Sequence, residues 1–344
     1  AQAGTPQNPT LLNAYGAHRP PWNAAGVDYP VGESGAMQDV TTASLPACAA
    51  YTSKTNTVDI ISAPCTLDHY NFALHNSTCL DIDASITNGD LVTLTNNYFQ
   101  GGTSLGDCAL GRGLVTIYGD VQLLAKYNTF NGNYDNHIQY AIWTATSANG
   151  NETFEYNYLP HCPEACFTFD ANGTYTVKYN YVQGICSPSS CPANGSGYHG
   201  NNFIINNFVT PGTNTIVNSS FNTVYLDPTN GPAMTAVCYM TPGPASGTLS
   251  FSGFCQNETY IANAGYSIGG TAIRVAPTGT GQGPFLIENN YIDPTDFAGG
   301  AGLVILANGS DGTSSSVTCK GNINMLDGTT IAATVEGTQF FTCN

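Results

Sequence analysis

A short phrase recurs along this chain: a few β-forming residues, then Asn, then an aromatic or branched residue. The central Asn residues fall at positions 97, 128, 157, 180, 290 and 322. Neighbouring copies lie 31, 29, 23 and 32 residues apart, and a longer gap separates 180 from 290. Weaker copies fit into that gap around residues 219–221 and 251–254. A repeat of this length, built from short strands and turns, is typical of a β-solenoid.

The chemistry of Asn explains why it recurs at one place in the repeat. Successive rounds of a solenoid bring equivalent side chains above one another about every 4.8 Å. An Asn side chain can donate to one neighbour while it accepts from the other, and Asn tolerates the left-handed backbone of a sharp bend. We therefore expect a ladder of stacked side chains at one turn, formed by Asn97, Asn128, Asn157, Asn180 and Asn290.

This pattern resembles the right-handed parallel β-helix of the pectate-lyase-like superfamily, whose rounds of three strands carry such a ladder. The resemblance covers residues 58–330, and the stretches 5–22 and 66–75 are similar to secreted bacterial proteins of that superfamily. We expect an all-β chain with an extended Pro-rich N-terminal arm or cap over residues 1–47. A single right-handed parallel β-helix follows over 48–330, and a C-terminal cap segment over 331–344.

The N-terminal arm affects whether the chain is a monomer or forms filaments. Its prolines, at positions 6, 9, 20, 21, 30 and 46, exclude a central strand. The ends of a β-solenoid expose unpaired N–H and C=O groups, which must be capped or used for association. An arm that folds back on its own first round predicts a monomer, whereas an arm that reaches a neighbour predicts a head-to-tail filament.

Twelve cysteines and a first residue other than Met indicate a secreted, extracellular protein rich in disulfides. Proximity in the sequence suggests the pairs Cys162–Cys166, Cys186–Cys191, Cys238–Cys255 and Cys319–Cys343, and leaves the order of Cys48, Cys65, Cys79 and Cys108 open. The first two pairs, with His161 beside them, also fit a loose zinc-ribbon template. An oxidising compartment favours disulfides, so we expect neither a metal nor a cofactor.

The charge balance limits the classes of partner that the chain can bind. Seven Lys and Arg against 23 Asp and Glu give a net charge of −16. A nucleic acid or a polyuronate needs a cationic groove, so we exclude the first and disfavour the second. We expect no membrane span, since no apolar run approaches the length of about 18–20 residues that a span requires. The remaining partners are a neutral glycan or neighbouring copies of the same chain.

Seven Asn-x-Ser/Thr sequons are possible N-glycosylation sites: Asn76, Asn151, Asn172, Asn194, Asn218, Asn257 and Asn308. Three of them, Asn151, Asn172 and Asn308, follow one predicted wall of the solenoid at the same corner of different rounds. Glycans at that corner would crowd the wall and favour a structural role.

That wall is traced through the segment after each Asn phrase. Alternation with period two places Ile82, Val115, Ile117, Ile138, Phe167, Phe169, Phe203, Ile273 and Val304 inside. The outward set is then Asp81, Asp83, Thr116, Tyr118, His137, Gln139, Thr168, Asp170 and Arg274.

The candidate catalytic residues lie on this wall or at nearby corners and loops: Asp83, Asp135, His137, Glu164, Asp170 and His199. Carboxylates from different rounds can reach the separations of about 5–9.5 Å that glycoside hydrolysis uses. The residue set of polygalacturonases is missing as a group. Arg112 and Arg274 lack the Ca²⁺-binding carboxylate cluster of a pectate lyase. An enzyme would therefore be a glycoside hydrolase rather than a uronate lyase.

Each candidate also has a structural interpretation, because Asp at a turn commonly accepts a backbone N–H. Two functions stay open. The protein binds or hydrolyses a neutral polysaccharide, or it is a non-catalytic extracellular surface or matrix protein, including a self-assembling filament subunit.

Overall fold

The structure is a computed structural model. It describes residues 31–53, 55–73, 78–87, 89–102, 113–133, 138, 140–145, 149–162, 165–185, 202–206, 214–225, 236–240, 250–261, 271–275, 283–293, 305–308, 317–336 and 343. The regular structure within these residues is all β-strand, as the sequence predicts, and no helix among them is long and apolar enough to cross a membrane.

The first half of the chain contributes β1 (Gln38–Asp39), β2 (Ala49–Thr52), β3 (Thr57–Ile60), β4 (Cys65–Asp68), β5 (Tyr70–Asn71), β6 (Cys79–Ile82), β7 (Leu91–Thr95), β8 (Tyr98–Gln100), β9 (Gly113–Ile117), β10 (Gln122–Lys126), β11 (Thr129–Asn131), β12 (Tyr140–Thr144), β13 (Asn149–Glu155), β14 (Tyr158–Cys162) and β15 (Ala165–Phe169). The second half contributes β16 (Asn172–Lys178), β17 (Tyr181–Ile185), β18 (Asn202–Asn206), β19 (Asn214–Ser220), β20 (Thr223–Tyr225), β21 (Ala236–Met240), β22 (Ser250–Gln256), β23 (Thr259–Ile261), β24 (Thr271–Val275), β25 (Phe285–Glu288), β26 (Tyr291–Ile292), β27 (Ile305–Asn308), β28 (Val317–Lys320), β29 (Ile323–Asn324) and β30 (Ala333–Glu336).

From β3 onward, consecutive strands join three sheets in rotation. Sheet 1 contains β1, β5 and every third strand from there to β29. Sheet 2 contains β4 and every third strand to β28, and sheet 3 contains β2, β3 and every third strand to β30. Neighbouring strands are parallel, except that β2 pairs antiparallel with β3. We use "round" for three consecutive strands, one from each sheet, and "row" for residues paired in register across a sheet.

The core lies between the sheets and consists of rows of apolar side chains. One row of sheet 2 contains Leu67, Leu94, Ala125, Phe154 and Val177, and none of these is exposed. Six residues of sheet 3 that the alternation places inside are buried as predicted: Ile82, Val115, Ile117, Phe167, Phe169 and Ile273. Ile138 and Phe203 are also buried, but Ile138 precedes β12, and Phe167 pairs with Ile204 rather than with Phe203. Val304 lies outside the described residues.

The predicted Asn ladder is present at the turn between sheets 2 and 1. Its members are Asn97, Asn128, Asn157, Asn180, Asn222, Glu258, Asn290 and Asn322, all fully buried. Asn128 shows the pattern: its Nδ2 donates to Asn157 Oδ1 at 3.1 Å and to the Leu94 carbonyl at 2.9 Å. Its backbone N–H donates to the same Asn157 Oδ1 at 2.9 Å. Each rung thus satisfies main-chain groups as well as its neighbour.

Two rungs fall in the long gap of the sequence pattern. Asn222 directly follows the stretch 219–221, as expected. The other turn lies at Asn257 and Glu258, just beyond the predicted stretch 251–254, which instead belongs to β22. At this rung a Glu replaces Asn.

The residue before most rungs has a left-handed backbone, which the corner requires. This residue is Tyr127, Tyr156 and Tyr179 in three successive rounds, with φ of 57°, 56° and 55°, and Phe221 in the next, with φ of 59°. Their rings stack at centroid distances of 5.2, 5.0 and 5.2 Å. Stacking between rounds favours a backbone conformation that is uncommon for aromatic residues.

The chain covers parts of both ends of the sheets. In the arm, β1 pairs with β5, and the Gly32 N–H donates to the Tyr156 carbonyl at 3.0 Å. Residues 31–40 therefore lie against sheet 1 of the same chain. At the other end, Ile323 forms an antiparallel bridge with Thr330. β30 extends sheet 3 into the segment predicted as the C-terminal cap.

Disulfides join Cys48 to Cys65, Cys162 to Cys166, Cys238 to Cys255 and Cys319 to Cys343. The last three were predicted, and the first was among the pairings left open. Cys79 is also disulfide-bonded, and no cysteine is free among the described residues. Cys108, Cys186 and Cys191 lie outside those residues. Because Cys162 and Cys166 are joined to each other, they offer no thiolates to a zinc ion.

Candidate functional site

The sequence predicts an outward-facing set on sheet 3, and the structure agrees with it only in part. Asp83, Tyr118 and Arg274 are partly exposed. Other members are buried or lie outside the described residues: Asp81, Thr116, Thr168 and Asp170 are buried, and His137 and Gln139 are not described.

One row of sheet 3 contains Asp81, Thr116, Trp143 and Thr168. The backbone hydrogen bonds that continue each strand align a second row, which contains Asp83, Tyr118, Ala145 and Asp170. We call the part of these two rows from β6 to β15 the outer wall.

Two aromatic rings of the outer wall, Tyr118 and Trp143, meet at its centre, and the ring of Tyr140 lies beside Trp143. The Trp143 ring lies 6.0 Å from Tyr118 in an edge-on arrangement and 6.0 Å from Tyr140 in a tilted one. All three side chains are partly exposed. The indole Nε1 of Trp143 donates a hydrogen bond of 2.8 Å to Asp170 Oδ2, which orients both groups. An apolar ring face thus lies beside a carboxylate.

The two threonines beside Trp143 in its row are buried. The hydroxyl groups of Thr116 and Thr168 find no hydrogen-bond partner within the described part of the chain. A buried hydroxyl without a partner carries an energetic cost, and it is a group that an ordered water can satisfy.

The sequence pattern did not predict that the rings of Trp143 and Tyr140 lie next to each other on sheet 3. It placed this round of the wall at residues 137–140, whereas the strand is β12, Tyr140–Thr144. The tracing was therefore wrong by several residues. The useful signal in the sequence was the Trp itself, one of two in the chain.

Only two of the candidate catalytic residues, Asp83 and Asp170, lie within the described residues. They share a row but are separated by three strand spacings, which is about 14 Å. That separation exceeds the range of about 5–9.5 Å that a glycosidase pair requires. Asp83 Oδ1 accepts the Ser85 N–H at 2.7 Å, which is the turn role weighed above. Asp135, His137, Glu164 and His199 lie outside the described residues.

Two carboxyl groups that the sequence pattern missed are buried inside the molecule. Glu152 Oε2 accepts the Thr144 hydroxyl at 2.8 Å, and burial raises the pKa of Glu152 to about 8. Glu258 is the ladder rung described above, and burial raises its pKa to about 8 as well. Neither side chain is exposed by more than 1% of its surface, so neither can contact a polysaccharide.

Five of the seven sequons lie within the described residues. Asn151 is exposed in β13, and Asn172 is the first residue of β16. Both therefore lie near the N-terminal ends of sheet 2 strands, where the chain arrives from sheet 3. Asn218 is in β19, and Asn257 lies at a ladder corner. Asn308 ends β27 in sheet 3, whereas Asn76 and Asn194 lie outside the described residues.

The charge on the outer wall is of one sign. Asp81, Asp83 and Asp170 are acidic, and neither row carries a Lys or Arg between β6 and β15. Arg274 lies four strands beyond Trp143 in the same row, which is about 19 Å away. The wall therefore offers the partly exposed rings of Tyr118 and Trp143 beside acidic groups, and its two rows contain no cation. No protein-family model, curated protein or solved structure matches this chain.

Proposed function

We propose that the chain is a single right-handed parallel β-helix of the pectate-lyase-like type, secreted, and that it binds a neutral polysaccharide along the outer wall of sheet 3. The observation that carries the proposal is the cluster of Tyr118, Trp143 and Tyr140 with Asp170 bonded to the indole. Aromatic surface with a few fixed polar groups is the usual composition of a small-ligand or glycan site.

Each part of the cluster has a role in this proposal. The ring face of Trp143 supports the C–H face of a sugar, because the negative face of a π system attracts weakly positive hydrogens. Asp170 is only 5% exposed, and its hydrogen bond to the indole Nε1 holds the Trp143 ring in the orientation in which it meets the sugar. The absence of Lys and Arg from the two rows of the wall disfavours a uronate chain.

Binding is proposed rather than hydrolysis. The two candidate catalytic carboxylates that the structure describes, Asp83 and Asp170, are too far apart to act as an acid and a nucleophile or base. Asp83 is also engaged in a turn.

The test is affinity electrophoresis and calorimetry of the purified chain with neutral glucans, mannans and xylans, and with polygalacturonate. We expect at least one neutral polysaccharide to bind and polygalacturonate not to bind. Trp143→Ala should weaken binding about tenfold or more, which corresponds to about 1.4 kcal/mol of lost ring contact.

Tyr291→Ala is the matched control, since Tyr291 is a partly exposed aromatic residue of β26 on sheet 1. It should bind like the unaltered chain. Equal weakening by both substitutions, or no binding to any neutral glycan, would contradict the proposal. The second outcome, with orderly self-association in light scattering, would favour the structural alternative.

A further inference from the structure

A separate polar site lies where the arm meets the first round. His69 Nδ1 lies 2.8 Å from Asp68 Oδ2, and both side chains are partly exposed. Adjacent residues of a strand normally point to opposite faces. His69 is at a corner with φ of 60°, and this left-handed conformation brings the two neighbouring side chains together.

Asp68 is held in place by the next round. Its Oδ1 accepts the Thr95 hydroxyl at 2.7 Å and the Asn96 amide at 3.2 Å. Burial raises the pKa of Asp68, but the hydrogen bonds from Thr95, Asn96 and His69 outweigh burial, so that its pKa is lowered overall. An ionised Asp68 fixes the proton of neutral His69 on Nδ1 and leaves the lone pair on Nε2.

The His69 side chain is 35% exposed. It lines an open cavity of about 450 Å³ together with Ala36, Met37 and Gln38 of the arm. Gly35 lies against the Nε2 edge of the imidazole, where a Cβ would be 3.1 Å from Nε2. Gly35 has φ of 91°, which disfavours any other residue at this position, and its lack of a side chain leaves space beside Nε2.

We propose that His69 is a general base that activates water for hydrolysis of a small ester in this cavity, with Asp68 as its positioning residue. Ala36 and Met37 offer apolar surface to a short acyl group, and the Gln38 amide can donate to its carbonyl. The described lining residues, Ala36, Met37, Gln38 and His69, include one group that can take a proton from water, and we assign the nucleophile to that water.

The step balances without any other reactant. Nε2 takes a proton from water as the water oxygen bonds to the ester carbonyl carbon, and Asp68 stabilises the resulting imidazolium. When the tetrahedral intermediate collapses, the bond from carbon to the alcohol oxygen breaks. That oxygen takes the proton back from Nε2. One ester and one water give one acid and one alcohol, and His69 is regenerated.

The probe is p-nitrophenyl acetate, and the readout is release of p-nitrophenolate by the full chain. We expect His69→Gln to lower the rate to that of buffer. Asp68→Asn should lower kcat about 10- to 100-fold and leave KM unchanged, because Asp68 acts through the imidazole. His161→Gln is the matched control, since His161 also has a left-handed backbone, with φ of 55°. It should keep the full rate.

A measurement without substitutions guards against misfolded variants. Diethyl pyrocarbonate should label His69 and abolish hydrolysis, and hydroxylamine should remove the label and restore the rate. The proposal is overturned if His69→Gln keeps the wild-type rate, if His161→Gln loses as much, or if protein labelled at His69 stays active. Trp143→Ala should keep ester hydrolysis, so the outcome is independent of glycan binding.

Discussion

At the scale of single residues, Glu258 is the most informative departure from the repeat. Its side chain takes the place of an Asn rung and accepts hydrogen bonds from the Ser219 hydroxyl and from the Asn222 side chain and backbone. Ser219 occupies a row that is apolar in the preceding rounds, at Phe154 and Val177. A small polar residue therefore stands where the longer Glu needs both room and a donor.

Glu258 makes stability depend on pH. Burial raises its pKa to about 8, even though the hydrogen bonds from Ser219 and Asn222 lower it. A carboxyl whose pKa is raised on folding stabilises the fold fully below its unfolded pKa, and this contribution is lost as pH rises through about 8. Glu152 acts in the same direction. We therefore expect the melting temperature to fall between pH 5 and pH 9.

Glu258→Gln tests this origin, because Gln keeps the size of the neutral acid and cannot ionise. The melting temperature of the variant should be close to that of the wild type at pH 5. The free energy of unfolding that is lost between pH 5 and pH 9 should be smaller in the variant by about 2–5 kcal/mol. Asp39→Asn, at an exposed carboxyl of β1, should leave the pH profile unchanged. A profile for Glu258→Gln that parallels wild type would count against the assignment.

Individual residues differ in whether their place in the fold could be predicted from the sequence. The Asn rungs were predictable because an amide that both donates and accepts is required at each round. Glu258 was not, since its fit depends on Ser219 in the preceding round and no local pattern records that contact. The Asp68–His69 pair was missed for a similar reason: neighbours in a strand are expected to diverge, and only the left-handed corner joins them.

At the scale of elements, the ladder is the joint between sheets 2 and 1. Asn157 accepts from the backbone N–H and the side chain of Asn128, and donates to Asn180 and to the Ala125 carbonyl. Asn157→Ala leaves these buried groups unpaired, so we expect a loss of about 1–3 kcal/mol in the free energy of unfolding. Denaturant unfolding measures it.

Asn151→Ala is the matched control for the ladder. Asn151 is exposed on sheet 2, and its replacement should change the free energy of unfolding by less than about 0.5 kcal/mol. Equal effects of the two substitutions would show that the ladder contributes nothing beyond an ordinary Asn.

The disulfides join different elements of the fold, including segments near the two ends of the chain. Cys48 and Cys65 connect the segment before β2 to β4, and Cys319 connects β28 to Cys343. We expect all twelve cysteines of the chain to be oxidised, because no described cysteine is free. Mass spectrometry after alkylation, with and without reduction, counts the thiols. Alkylation of several cysteines before reduction would contradict this expectation.

For the molecule as a whole, the repeat predicted the all-β class and the parallel sheets, because strand alternation and a regular period are encoded locally. The exact rows of the outer wall were harder. Turns between sheets 2 and 1 are marked by Asn, whereas the segments between sheets 1 and 3 vary in length and carry no such marker. That variation explains why the round of Trp143 was traced at residues 137–140 rather than along β12.

At the scale of the whole molecule, the position of the arm bears on whether the chain is a monomer or associates into filaments. Residues 31–40 lie on their own chain: β1 pairs with β5, Val31 and Glu33 are buried, and Gly32 bonds to Tyr156 in a later round. β1 is the last strand of sheet 1 at this end, so it covers an edge that would otherwise present unpaired backbone groups. We therefore expect residues 31–40 to cap this edge and the chain of 36.0 kDa to be a monomer.

Deleting residues 1–40 should expose the edge of β5 and the surface beneath Val31 and Glu33, so light scattering should detect new self-association. Deleting only residues 1–30 is the control, because it keeps β1 and the buried residues 31–33, and it should leave the mass per particle that of a monomer. An intact chain that forms filaments, and dissociates when residues 1–40 are removed, would instead mean that the arm links neighbouring copies.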